Sequence, residues 1–91
     1  MTLRTGQEVW IRCTVQPGPF SDEPLVTIES IQGPVSGFIK SDELKDDAGG
    51  SQRVRGIVRR VEKTFVEVWI RGSFFTTNGL ANVSPELAMA A

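Results

Sequence analysis

Histidine is absent from this 91-residue sequence, and Cys13 is its one cysteine. Carboxylates, guanidiniums, hydroxyls and the indoles of Trp10 and Trp69 are left to do chemistry. That excludes histidine general bases, Ser-His-Asp and Cys-His nucleophiles, and zinc sites built on Cys and His. A single thiol cannot close a disulfide within the chain. The acids Asp42, Glu43, Asp46 and Asp47 cluster, but without the alternation of a calcium loop. Gly49-Gly50-Ser51 lacks the Lys-Ser/Thr that a phosphate loop requires. No metal, cofactor or catalytic residue is expected, and binding is the expected activity.

The candidate binding residues are aromatic and basic. Trp-Ile-Arg occurs twice, as Trp10-Ile11-Arg12 and Trp69-Ile70-Arg71. In a strand, each copy sets Trp and Arg on one face with Ile beneath. Phe65 shares the face of Trp69, Arg53, Arg55 and Arg59 lie on the preceding segment, and Phe74-Phe75 follow in a loop. This chemistry suits a protein interface, where Trp and Arg are enriched. It also suits a single-stranded RNA or DNA platform, with bases stacked on rings and Arg on phosphate. Protein interaction or self-association is the first expectation and nucleic acid the alternative.

Charge sharpens that choice. The chain carries 10 Lys and Arg against 11 Asp and Glu, a net charge of −1. The first fifty residues sum to −4 and the remainder to +3, so a near-zero total hides an acidic half and a basic half. No segment approaches the ~20 apolar residues of a membrane helix. Met1 to Gly6 lacks the apolar run of a signal peptide. A lone Cys in an alternating pattern suits a reducing compartment, so a cytoplasmic protein without membrane contact is expected.

These residues need strands to position them. From Glu8 to Val15 the positions alternate, with Val9, Ile11, Cys13 and Val15 facing one way. Gln16-Pro17-Gly18-Pro19 is expected to end that strand. Leu25–Ile31 and Val35–Ile39 read as the next two strands, and Ser41 to Leu44 as one helical turn capped by Ser41. Asp46 to Ser51 reads as a mobile loop. Gln52–Val61 has Val54, Gly56 and Val58 on one face, with a bulge expected at Arg59-Arg60. Glu62-Lys63 suits a hairpin turn, and Thr64–Arg71 points Val66, Val68 and Ile70 inward. Asn78-Gly79 is a tight turn before a short strand, Leu80–Val83. Ser84-Pro85 then starts a short helix over Glu86 to Ala91.

The two halves, 6–45 and 51–88, read as similar units within one domain spanning 1–91. Gly6-Gln7-Glu8-Val9 matches Ser51-Gln52-Arg53-Val54, and Ser36-Gly37-Phe38-Ile39 matches Asn78-Gly79-Leu80-Ala81. Ser41-Asp42-Glu43-Leu44 matches Ser84-Pro85-Glu86-Leu87. Neither half could bury a core alone, so the two are expected to share one.

Arg55-Gly56-Ile57-Val58-Arg59-Arg60-Val61, followed by Gly79-Leu80-Ala81-Asn82-Val83-Ser84-Pro85-Glu86-Leu87, resembles the OB-fold RNA-binding repeat of ribosomal-protein type. Gly37 to Leu44 echoes the same stretch. The motif's His is replaced by Asn82 in one copy and Lys40 in the other, and its Gly-Ala-Phe-Val strand reads Thr64-Phe65-Val66-Glu67-Val68. A Gly-led strand followed by one helical turn is also similar to the closing of SH3-like barrels. The expected fold is therefore all-β: one small SH3-like or OB-like barrel of about five to six strands with a short C-terminal helical turn.

Overall fold

Alternating β-branched residues make strands with one face to bury, and each buried Val or Ile contributes about 1.5–3 kcal/mol. In the computed structural model, which describes residues 3–46, 51–74 and 78–91, the described residues form a nine-stranded antiparallel sheet. The strands are β1 (Glu8–Phe20), β2 (Glu23–Ser30), β3 (Gly33–Phe38), β4 (Leu44–Asp46) and β5 (Gln52–Val61). They continue as β6 (Val66–Trp69), β7 (Ser73–Phe74), β8 (Leu80–Val83) and β9 (Ala88–Ala90). The order is β7-β3-β2-β1-β5-β6-β8, with β4 also on β5 and β9 also on β1. The sheet curls into a nearly closed barrel. The Ile31 N–H donates to the Asn82 carbonyl at 2.8 Å, which brings the end of β2 to β8.

The all-β barrel agrees with the alternation in the sequence, but more strands form than the five or six expected. β4, β7 and β9 hold only two or three residues each, too few for alternation to show. Val9, Ile11, Val26, Ile28, Ile39, Val54, Val58, Val66, Val68, Ile70 and Val83 are fully buried and fill the barrel. The register of β5 on β6 shifts between Val58 and Arg60, at the expected bulge. The Glu62 N–H donates to the Phe65 carbonyl and closes the turn between them.

Three local expectations change. β1 runs through Pro17 and Pro19 to Phe20, because its register on β2 shifts between Gln16 and Phe20 and the irregular stretch asks no N–H of the prolines. The C-terminal helix is only a 3-10 turn, Pro85–Leu87, after which β9 pairs with β1. A helix of so few residues would leave most of its backbone groups unpaired, whereas the β1 edge accepts them. The first 3-10 turn is Ser41–Glu43 with Lys40, not Ser41, at its N-cap. Residues 47–50 of the expected mobile loop lie outside the described residues.

The pairing plan of residues 8–46 recurs over 52–90. In each half three strands pair in turn, β1-β2-β3 and β5-β6-β8, a 3-10 turn follows, and a last short strand crosses to the other half; β7, between β6 and β8 in the chain, pairs with β3 instead. Leu44 opposes Val54 as Ala88 opposes Ile11, and Ile11 opposes Val54. Ile11 and Val54, opposed to each other, are therefore equivalent positions of the two pairing plans. Equivalent positions follow from the ladders: Val26 with Val68, Gly37 with Ala81, Val35 with Gly79 and Lys40 with Ser84. These differ by one or two places from the matches drawn by residue type. A repeated Gly or Ser marks turn chemistry, whereas equivalence here is set by ladder register.

Candidate functional site

Outward side chains of neighbouring strands form cross-strand rows. Across β4, β5 and β1, one row is Lys45, Arg53 and Arg12. The next is Arg55, Trp10 and Met89, from β5, β1 and β9. A third is Trp69, Ile57 and Glu8, from β6, β5 and β1. Trp10 and Trp69 thus both face outward, each half-buried.

The predicted basic residues meet three different fates. Arg53 is only 7% exposed, and its Nη1 donates to the Trp10 carbonyl at 3.4 Å. The Arg55 guanidinium pairs with the Glu43 carboxylate and approaches Glu8 at 3.9 Å. The hydrogen bond from Arg55 to Glu43, and the charge of that carboxylate, raise the guanidinium's pKa above its usual value. Arg12, Arg59 and Arg71 are exposed and form no ion pair with a described residue.

The aromatic residues are similarly divided. Lys45 Nζ stands 4.7 Å from the Trp10 ring centroid and occupies one face of that indole. Arg60, absent from the sequence prediction, holds its guanidinium carbon 5.6 Å from the Phe65 ring centroid while Nε approaches Glu62 at 3.7 Å. Phe74 is no loop aromatic: it pairs with Gly37 in β7 and packs half-buried against the core. Phe75 lies outside the described residues.

Trp69 sits among apolar side chains on the surface. It opposes Ile57 on one side and Leu80 on the other, and Leu80 is 39% exposed. Gly79, at φ +88°, makes room for it. A Cβ there would lie 2.7 Å from the Ile70 carbonyl oxygen and 3.1 Å from the indole Nε1. Beside Trp69 a groove of about 280 Å³ holds Glu8, Glu43, Arg55, Ile57 and Arg71. An adjoining one of about 380 Å³ shares Glu43, Arg55 and Arg71.

Glu43 is a residue of this surface that the sequence does not single out. It stands among other acids in the chain, yet it is buried at the end of its 3-10 turn and turned onto Arg55. No local signal separates it from Asp42, because its partner lies on another strand. Among the described residues no group of three or more His, Cys, Asp and Glu is arranged to hold a metal ion. Cys13 is buried, and burial pushes its thiol up to about 11, partly offset by the charge of Arg53. Such a thiol is a core hydrophobe and not a nucleophile at neutral pH.

Among the described residues, no helix is long and apolar enough to cross a membrane. No protein-family model, curated protein or solved structure matches this chain.

Proposed function

We propose that this chain is a non-catalytic binding module that engages protein through the outward face of β5, β6 and β8. The observation carrying this reading is the cross-strand row Ile57, Trp69 and Leu80, apolar from end to end. Charged groups rim it, with Glu8, Arg55 and Arg71 toward one side and Arg60 and Glu67 toward the other. An apolar centre with a charged rim suits a protein partner, and a central Trp of this kind commonly costs 2 kcal/mol or more when truncated.

The same surface suits nucleic acid less well. Arg53 is buried and Arg55 is neutralised by Glu43 and Glu8, so the centre of β5 offers phosphate little free charge. We also read the chain as one domain of two related units. Each ends in a strand, a single 3-10 turn and a crossing strand, which favours an SH3-like over an OB-like description. A buried unpaired thiol agrees with a cytoplasmic location.

The test is a photoreactive phenylalanine placed at Leu80 and, as a control, at the exposed turn residue Ser21, in the cells that make the protein. Discrete protein adducts from Leu80 and none from Ser21 are expected. Adducts to RNA or DNA from Leu80, or the same adducts from both positions, overturn the reading. Salt-sensitive quenching of Trp69 by mixed single-stranded oligonucleotides moves the assignment to nucleic acid.

A further inference from the structure

The groove beside Arg55 has a counterpart in the other half, and the two differ in one telling way. A cavity of about 450 Å³ is lined by Arg12, Thr14, Thr27, Glu29, Ser51 and Leu87, with Cys13 in its wall. The strand ladders make these residues the equivalents of those around Arg55. Arg12 opposes Arg53 as Arg55 opposes Trp10, so Arg12 stands in the place of Arg55. Thr14 opposes Thr27 as Ile57 opposes Trp69. Gln52 opposes Cys13 as Val9 opposes Gly56, which puts Ser51 in the place of Glu8. Leu87 ends the second 3-10 turn as Glu43 ends the first.

Both carboxylates that hold Arg55 are therefore missing around Arg12. Glu43 is replaced by Leu87 and Glu8 by Ser51, and Arg12 forms no ion pair with a described residue.

We infer that the Arg12 groove is a second binding site, for a Glu or Asp carboxylate carried by an extended peptide segment. In the other half Glu43 shows how such a carboxylate reaches this guanidinium: it enters from the 3-10 turn side and pairs with it. A ligand's Glu or Asp takes that path over Leu87, with its stem on the leucine and its charge on Arg12. Ser51 and the Thr14 and Thr27 hydroxyls supply the hydrogen-bonding walls. Glu29, in the same groove, stands in the place of Arg71. It opposes a dianionic phosphate and favours a segment with a basic residue beside the acidic one. This site is distant in the ladder from Ile57, Trp69 and Leu80, so it stands whether or not that face binds protein.

The test is NMR titration of backbone amides and arginine Nε–H groups with a blocked Lys-Gly-Glu tripeptide. A blocked Lys-Gly-Gln tripeptide and inorganic phosphate serve as controls. Saturable shifts at the Arg12 Nε–H and at Thr14 and Thr27 are expected with the Glu peptide alone. Arg12→Met, at an exposed position, abolishes those at Thr14 and Thr27. Leu87→Glu supplies the missing carboxylate internally and also abolishes them. Glu43→Leu combined with Glu8→Ser removes both carboxylates from the other groove, so the Arg55 Nε–H then responds to the Glu peptide, which it does not in the parent chain. Absence of saturable shifts at Arg12, their survival in Leu87→Glu, or an equal response to phosphate or to the Gln peptide overturns the proposal.

Discussion

The outward faces of the two halves share one ladder plan and carry opposite chemistry. Across β1, β2 and β3 the row is Thr14, Thr27 and Ser36, and the Thr27 and Ser36 hydroxyl oxygens hydrogen-bond at 2.8 Å. At the equivalent positions across β5, β6 and β8 it is Ile57, Trp69 and Leu80. At four inward pairs the halves scarcely differ: Ile11 stands with Val54, Val26 with Val68, Ile28 with Ile70 and Ile39 with Val83, all buried. A shared close-packed interior favours β-branched residues of similar volume at these positions. The exterior is free of that restriction, and there the halves have separated into a hydroxyl face and an indole face.

The strongest test of the comparison is at Ile11, which opposes Val54 of the other half. Ile11→Ala should cost about 2–5 kcal/mol and lower both halves together. Urea unfolding followed through the fluorescence of single-Trp variants retaining Trp10 or Trp69 should give coincident transitions. Separate midpoints would show two independently stable halves, which the shared core forbids.

Cys13 and Gly56 occupy equivalent inward positions on β1 and β5, and only the first can titrate. Its thiol is raised from 9.0 to about 11, so the neutral form is favoured by folding. The resulting stability is fully present below about pH 9 and lost as pH rises through about 11. The loss amounts to about 3 kcal/mol at most. Comparing alkaline stability of the parent with Cys13→Ala isolates it. Disulfide-exchange reagents at pH 8 should label the thiol far more slowly in the folded chain than in urea.

Gly79 replaces Val35 where Trp69 replaces Thr27. Gly79→Ala forces a side chain onto positive φ and against the Ile70 carbonyl and the indole, at a cost of about 1–3 kcal/mol. A shifted Trp69 emission spectrum, with Trp10 replaced by Phe, should accompany that loss. Unchanged stability and emission would separate the glycine from the indole.

The smallest effect lies on the hydroxyl face. Thr27→Val removes the bond to Ser36 and should cost about 0.5–1.5 kcal/mol in chemical denaturation. A stabilised variant would mean that the hydroxyl row is maintained for a ligand and not for the fold.

Much of the barrel is legible in the chain. Period-two alternation over Glu8–Val15, Gln52–Val61 and Thr64–Arg71 identifies the strands that β1, β5 and β6 realise, and it assigns the faces of Val9, Ile11, Val54, Val58, Val66 and Val68. Trp10 and Trp69 also face outward as their alternation implies, yet each is half-covered by neighbours on other strands. β4 and β9 were hidden because they exist only through pairing with β5 and β1. The candidate surface was legible as a set of residues and not as a set of charges. Arg53, Arg55 and Arg59 look alike in sequence, but they become a buried donor, a paired cation and an exposed cation.

By itself the sequence determined the chemistry this chain lacks and the face each strand side chain takes. Missing histidine removes its reactions whatever the fold, and alternation is a local property of extended backbone. Only the tertiary structure decided which cations are free. That depends on whether a carboxylate from a distant segment arrives, as Glu43 does at Arg55 and Leu87 does not at Arg12. Coulomb attraction falls off over a few ångströms near a protein surface, so only three-dimensional neighbourhood can assign it.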